Sequence, residues 1–395
     1  MRDFADLARR ALRDSGYSMK AAARALNYDP AHLSRVLNGK QKPSAKLASS
    51  LDSLVGADGA LAAAVSEEPA VVGPLAMGET ADDEFHAWEL TRRIQATDVG
   101  SETLDRLENA FDELATAYPV ASPQQLLRQV RLHLSYVTRL VDGKKTLGEH
   151  RRLLAVGGWL SLFAATLHID LKQGKPAAAC LHTATSLARE AGEPEIEAWC
   201  FETEAWRGLT AGDYRRSVEL SRAAQDLAPS GSSALVQSTA QEGRALARPG
   251  QSRETYSAID KVQELASRLT LSGSPGHHYR YDPAKFLAYA TTTLAWLGDV
   301  AAEPYARELI ARLGPSNDVT EWPRRVASAT IDLALVLMKN GRMDEACDAA
   351  QKAILSGRVV PSNHWRALEI VQEAETRKLP EASDLRSAYQ GIFEM

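Results

Sequence analysis

The sequence predicts an all-α protein made of four short helices, a tether rich in Ala and Gly, and a long array of paired helices. Three observations carry that expectation. Apolar residues recur at three- and four-residue spacing through almost every segment, and no alternating strand pattern with hairpin turns stands out. Beyond Phe85 the strong helix formers Leu, Ala, Glu and Arg dominate. Short glycine turns then return at nearly fixed intervals: Gly174, Gly212 and Gly250 lie 38 residues apart, and Gly298 and Gly341 follow at steps of 48 and 43.

In the head, each helix has its own start or stop signal. The first spans about Asp3 to Ser15, with Phe4, Leu7, Ala8, Ala11 and Leu12 on one face, and Gly16 ends it. Ser18 is an N-cap for the second, whose Ala21, Ala22, Ala25 and Leu26 are expected to point inward. After the turn at Asn27-Tyr28, Asp29 caps the third helix and Pro30 takes its first position, where a missing N–H costs nothing. Leu33, Val36 and Leu37 form its buried face and Asn38-Gly39 stops it. Ser44 starts the fourth helix, with Leu47, Leu51 and Leu54 inward.

Two short helices joined by a tight turn, the second ending in Gly and followed by basic residues, form the layout of a DNA-reading helix-turn-helix. Charge agrees with it. Residues 1–56 hold ten Lys and Arg against five acids, a balance of +5, which leaves −10 for the remainder of a chain whose total is −5. A basic head on an acidic body fits a protein that meets phosphate with its small part alone. With Leu33, Val36 and Leu37 inward, Pro30, Ala31, Ser34 and Arg35 fall on or near the opposite face, the one that enters a major groove. Arg35 can pair with both acceptors of a guanine or hold a phosphate, and Pro30 and Ala31 can touch a thymine methyl. Ser18, Lys20, His32, Asn38, Lys40 and Lys42 are the candidates for gripping phosphates. A solvated four-helix domain with no ligand is the bland alternative.

The run from Ser18 to Ser44, SMKAAARALNYDPAHLSRVLNGKQKPS, resembles the phage-repressor-like or XRE-type helix-turn-helix. Its most specific part is LSRVLNGKQKPS, with Gly39, Lys40 and Pro43 in place. The resemblance covers about residues 3–56 and implies base contacts from Pro30, Ala31 and Arg35 and backbone contacts around Asn38 and Lys40. Leu37 stands where that family often has Glu, and Pro30-Ala31 replaces longer polar readers, so direct readout rests on few residues.

Residues 57–83 read as a mobile tether, with room for some helix at its start. Residues 84–154 are expected to be helical, as a capping or dimerising segment, and residues 155–395 to form the hairpin array. One hairpin cannot bury its apolar face alone, whereas stacked hairpins can. The order Ala205, Leu209, Gly212, Tyr214, Ala224 and Pro229, echoed by Ala334, Gly341, Ala346, Ala350 and Ala353, is similar to degenerate tetratricopeptide repeats. That resemblance implies a right-handed α-solenoid with a concave groove. Between Leu271 and Pro283 the repeat is interrupted by a polar and aromatic stretch holding His277, His278, Tyr279, Arg280 and Tyr281. It is either a segment that closes over an effector or a surface loop packed against the next repeat. Trp159, Trp199, Trp206, Trp296 and Trp322 fall in the array and are most simply core.

No catalytic constellation is visible: there is no phosphate-binding G-x-x-x-x-G-K-[ST], no G-x-G-x-x-G and no G-x-S-x-G, and Gly143-Lys144-Lys145-Thr146 reads as a turn. Cys180, Cys200 and Cys347 lack ligand spacing and read as core fillers, so no metal or cofactor is expected. No run approaches the roughly 18 apolar residues of a membrane span, and the start of the chain lacks a secretory pattern. These features point to a cytoplasmic DNA-binding transcriptional regulator and not an enzyme. Its expected partners are a double-stranded operator, a second copy of the chain, and a peptide or small-molecule effector; a protein-interaction scaffold and a ligand-independent repressor are the alternatives.

Overall fold

The computed structural model describes residues 2–66, 97–269, 277–281, 283–313 and 322–392, and among these every regular element is a helix. The chain divides into two compact units, Met1–Leu90 and Thr91–Met395.

The first unit contains α1 (Arg2–Asp14), α2 (Met19–Ala25), α3 (Pro30–Leu37), α4 (Ala45–Val55) and α5 (Ala60–Ser66). Phe4, Ala8, Leu12, Leu33, Val36, Leu37, Leu47, Leu51 and Leu61 form one buried cluster. The inner face of α3 is the one expected. Two other faces are rotated. On α1, Ala5 is buried while Leu7 is 42% exposed. On α2, Ala22 and Ala23 are buried while Ala21 and Ala25 face solvent. A seven-residue helix built largely of alanine offers little contrast between faces, so its neighbours choose the rotation.

The start of the expected tether is folded. Helix α5 packs on α1 and α4, and Leu61 is wholly buried. The cause is Asp52: it is buried near the end of α4, and its carboxylate accepts the backbone N–H groups of Gly59 (2.7 Å), Leu61 (2.6 Å) and Ala62 (3.1 Å). An acid reaching over from one helix thus satisfies the orphan donors at the N-terminus of the next. The rest of the expected tether lies outside the described residues.

In the second unit α6 (Ser101–Ala117) and α7 (Pro123–Val141) lead into α8 (Leu147–Asp170), which starts on a capping box between Thr146 and Glu149. The residues before Thr146 form the expected turn. Helix α8 is long and apolar enough to cross a membrane, yet most of it is buried within the unit. It pairs with α9 (Gly174–Ala191) as the first of six hairpins. The others are α10 (Pro194–Thr210) with α11 (Tyr214–Leu227), α12 (Ser233–Ala247) with α13 (Ser252–Ser267), and α14 (Pro283–Leu297) with α15 (Ala302–Leu313). They are followed by α16 (Pro323–Lys339) with α17 (Met343–Leu355), a single 3₁₀ turn η1 (Pro361–Asn363), and α18 (His364–Thr376) with α19 (Ala382–Gly391).

Each even-numbered helix from α8 to α18 contacts the next even-numbered one, so these six form a continuous inner row while their partners pack outside. Small residues allow the close approach within hairpins: a Cβ on Gly208 would stand 3.0 Å from Ser217 Oγ, and one on Gly243 would stand 3.2 Å from Ala258 Cβ. Each hairpin turns at one left-handed residue. Gly212, Gly250, Gly298 and Gly341 serve as expected, but in the first hairpin Lys172 takes that conformation and Gly174 only opens α9. Lys378 does the same in the sixth.

The row curls far enough for its first helix to reach η1. Buried Asp170, at the end of α8, accepts bonds from Tyr118 Oη (2.8 Å), Ser362 Oγ (3.2 Å) and Arg324 (3.4 Å). Burial raises its carboxyl above the ordinary range, with Arg324, Tyr118 and Ser362 opposing that rise.

Candidate functional site

In the first unit, two consecutive helix ends are built alike. Helix α2 stops where Asn27 adopts the left-handed conformation (φ 55°), Asn27 N bonding Arg24 O and Tyr28 N bonding Ala23 O. Helix α3 stops at Gly39 (φ 68°), with Gly39 N bonding Val36 O and Lys40 N bonding Arg35 O. Both are the doubly bonded left-handed stop, for which Gly is preferred and Asn tolerated. The first sets the turn into α3. The second holds Lys40 beside the end of that helix.

Helix α3 begins as expected: Asp29 Oδ1 accepts Ala31 N at 3.1 Å and Pro30 takes the first position. Likewise Ser18 Oγ accepts Ala21 N at 3.2 Å. Pro30, Ala31 and Arg35 are exposed and Ser34 is half-buried, while Leu33, Val36 and Leu37 are buried. Ser18, Lys20, Asn38, Lys40 and Lys42 are all exposed around this helix and the start of α2. His32 is half-buried with its ring stacked on Tyr28 at 6.1 Å between centroids.

Two contacts were beyond sequence reasoning. Arg35 Nε donates to Gln41 Oε1 at 3.2 Å, and Asn38 Nδ2 donates to Ser34 Oγ at 3.3 Å. The first holds the guanidinium of Arg35 toward the segment after the helix. Gln41 thereby joins the site as an orienting neighbour; its position in a basic run after a helix stop was the only available signal.

The described part of the aromatic segment of the second unit, residues 277–281, packs against helices earlier in the chain rather than on the next repeat alone. His278 N donates to Ala115 O at 3.1 Å, so the segment straps back onto α6. Tyr279 is buried among Phe111, Trp159, Phe163 and Trp199, and its hydroxyl lies 2.9 Å from Thr166 Oγ1. His277 and Tyr281 are also buried; Asp112 sits 3.2 Å from His277 Nε2 and 3.3 Å from Arg280. Burial, then nearby Arg280, depresses His277 to about 4. Of the five residues only His278 reaches the cavity inside the array. Aromatic rings at this density are more stable in a shared core than on a solvated loop.

Trp199 and Trp296 are buried core as expected and Trp206 packs against that core; all three also line that cavity, together with Trp365. Cys200 and Cys347 are buried and Cys180 half-buried, and burial pushes the Cys200 thiol up to about 12. Among the described residues no group of His, Cys, Asp and Glu is arranged to hold a metal.

Residues 3–65 match the family model for a helix-turn-helix domain, whose end coincides with α5. No curated protein matches the chain. The match and the α2–α3 geometry together make residues 3–65 a helix-turn-helix DNA-binding domain.

Proposed function

We propose that the chain is a sequence-specific transcriptional regulator of the XRE type. In this reading α3 lies in a major groove, with Pro30, Ala31, Ser34 and Arg35 toward base edges and Ser18, Lys20, His32, Asn38, Lys40 and Lys42 toward phosphates. The observation that carries it is the outward face of α3: its N-terminal half is solvent-exposed, capped by Asp29 and flanked by basic residues. A single head of this size covers about half of a two-fold operator, which favours a homodimer. The array, similar to tetratricopeptide repeats, serves as the receiving part for an effector in a cytoplasmic, non-enzymatic protein. An effector acts by preferring one of two arrangements of the dimer.

Selection of duplex fragments by the purified protein tests the reading. Retention of a recurrent sequence, with affinity falling steeply as salt rises, supports it. No retention of any duplex across the salt range would leave the protein-interaction scaffold as the better account.

A further inference from the structure

The inner row lines a cavity of about 210 Å³. Its walls come mainly from α8, α10, α12, α14, α16 and α18, so all six hairpins contribute to it. At one end the strap fills the row with aromatic side chains, and Asp170 closes the row on itself. An extended peptide would need a groove running the length of the array. A closed row with a plugged end leaves a compartment for a compact molecule.

The chemistry of the wall is one-sided. Five cationic side chains (Arg244, Lys285, Arg324, Arg325 and Arg366) line it against three carboxylates (Asp170, Glu202 and Asp332). Two of those carboxylates are already engaged, Asp170 by Arg324 and Asp332 by Arg366 and Thr292. Glu202 accepts Gln237 Nε2 at 3.0 Å, and burial raises it to about 6, so it opposes the cations less than a free carboxylate would.

Unsatisfied polar atoms point the same way. Nε of Arg244, Nε of Arg366 and Nε1 of Trp365 are buried donors without a partner, against one buried acceptor, Gln237 Oε1. Arg366 and Gln237 are themselves more than nine-tenths buried. Orphan donors at this depth are costly unless something accepts from them. Around them stand flat π surfaces: Arg244 lies 4.3 Å from the Tyr289 ring centroid, and Arg248 lies 4.6 Å and 4.7 Å from those of Trp296 and Trp365. Bidentate pairing of Arg248 with Glu369 fixes that stack.

We infer that this cavity binds a small, flat organic anion of the aromatic carboxylic acid class, its ring against Trp206, Tyr289, Trp296 and Trp365 and its carboxylate on Arg244 and Arg366. The inference rests on the array being the receiving part and specifies what it receives. Arg244 supplies the charge-assisted bond: its guanidinium bonds Gln241 and contacts no carboxylate among the described residues, whereas Arg324 and Arg366 are each paired with an acid.

The test uses the full chain and four probes, benzoate and 2-naphthoate with their carboxamides, beside a pool of random octapeptides. Calorimetry and quenching of indole fluorescence are read together. The expected result is saturable carboxylate binding with quenching, and at least about a tenfold weaker carboxamide, the ratio expected when a charge-assisted bond is replaced by a neutral one. Arg244→Gln should reduce the acid-over-amide ratio. Because the wild-type comparison needs no variant, a misfolded substitution leaves the test intact. Equal binding of acid and amide overturns the anion assignment. Binding of peptides alone overturns the inference while sparing the receiving role, and silence from every probe removes both.

Discussion

Asp52 on α4 accepts the backbone N–H of Leu61 at 2.6 Å and so makes the first turn of α5 part of the DNA-binding head. Burial pushes its carboxyl upward, but the bonds from Gly59, Ala62 and Leu61 outweigh it and hold the group below its ordinary value of 3.8. A depressed acid contributes stability that is complete above the ordinary value and lost as pH falls through the folded one. Amides of Gly59, Leu61 and Ala62 should therefore lose protection from hydrogen exchange, relative to their intrinsic rates, only below about pH 4. Asp52→Asn, with one acceptor oxygen in place of two, should lose much of that protection already at pH 7.

The paired stops at Asn27 and Gly39 predict an asymmetry between substitutions. Asn27→Gly should change the melting temperature little, because glycine adopts the left-handed conformation freely. Asn27→Val and Gly39→Val should each destabilise the head by about 1–2 kcal/mol or more, the penalty for a side chain in that conformation. Equal tolerance of valine and glycine in thermal denaturation would contradict the geometry.

Arg35→Ala should weaken binding to the selected duplex by about 1–3 kcal/mol and relax base preference at one position. Equal weakening on random duplex would assign Arg35 to a phosphate. Gln41→Ala removes the contact that orients the guanidinium but keeps the charge. Its loss at the selected duplex should be smaller than that of Arg35→Ala, with the salt dependence unchanged.

The strap should behave as core. Tyr279→Ala removes a ring packed against four aromatic neighbours and should cost about 3–5 kcal/mol, whereas Tyr279→Phe, which loses only the Thr166 contact, should cost about 1 kcal/mol. His277, held near 4 by burial and then by Arg280, stays neutral in the folded array at pH values where the unfolded chain is protonated. Its depressed value means that the array should lose stability progressively as pH falls from its ordinary 6.5 to about 4. A His277→Gln variant should flatten that slope in denaturant titrations.

Buried Arg366 and Asp332 offer a double-mutant test. Arg366→Met leaves Asp332 with Thr292 alone and should destabilise by about 3–5 kcal/mol, while Arg366→Met with Asp332→Leu should recover most of that loss. Additive losses in chemical denaturation would mean that the two side chains stabilise the array independently.

Much of the head was readable because its signals are local. Asp29, Pro30 and Gly39 act on backbone within a few residues, and the apolar spacing of Leu33, Val36 and Leu37 leaves α3 one way to face. Helix α2 was misread by one position since alanines on both sides are nearly equivalent. The role of Asp52 left no local signal because its partners lie seven to ten residues on, in a stretch whose small residues resemble a tether. The strap was opaque for a stronger reason: Tyr279 finds Thr166 at a separation of 113 residues, a pairing set only by how the hairpins curl. Helix content and the four turns at Gly212, Gly250, Gly298 and Gly341 need no such information and were legible, whereas the first and sixth turn at Lys172 and Lys378, residue types that carry no turn signal.

The bond between Asp170 and Ser362 joins two points 192 residues apart along the chain. A coil with free ends lengthens like a spring, one turn at a time, whereas a hoop must either hold its girth or come unfastened. Because Arg324 and Tyr118 meet at the same fastening, a change in the girth of the array would bear directly on the carboxylate of Asp170.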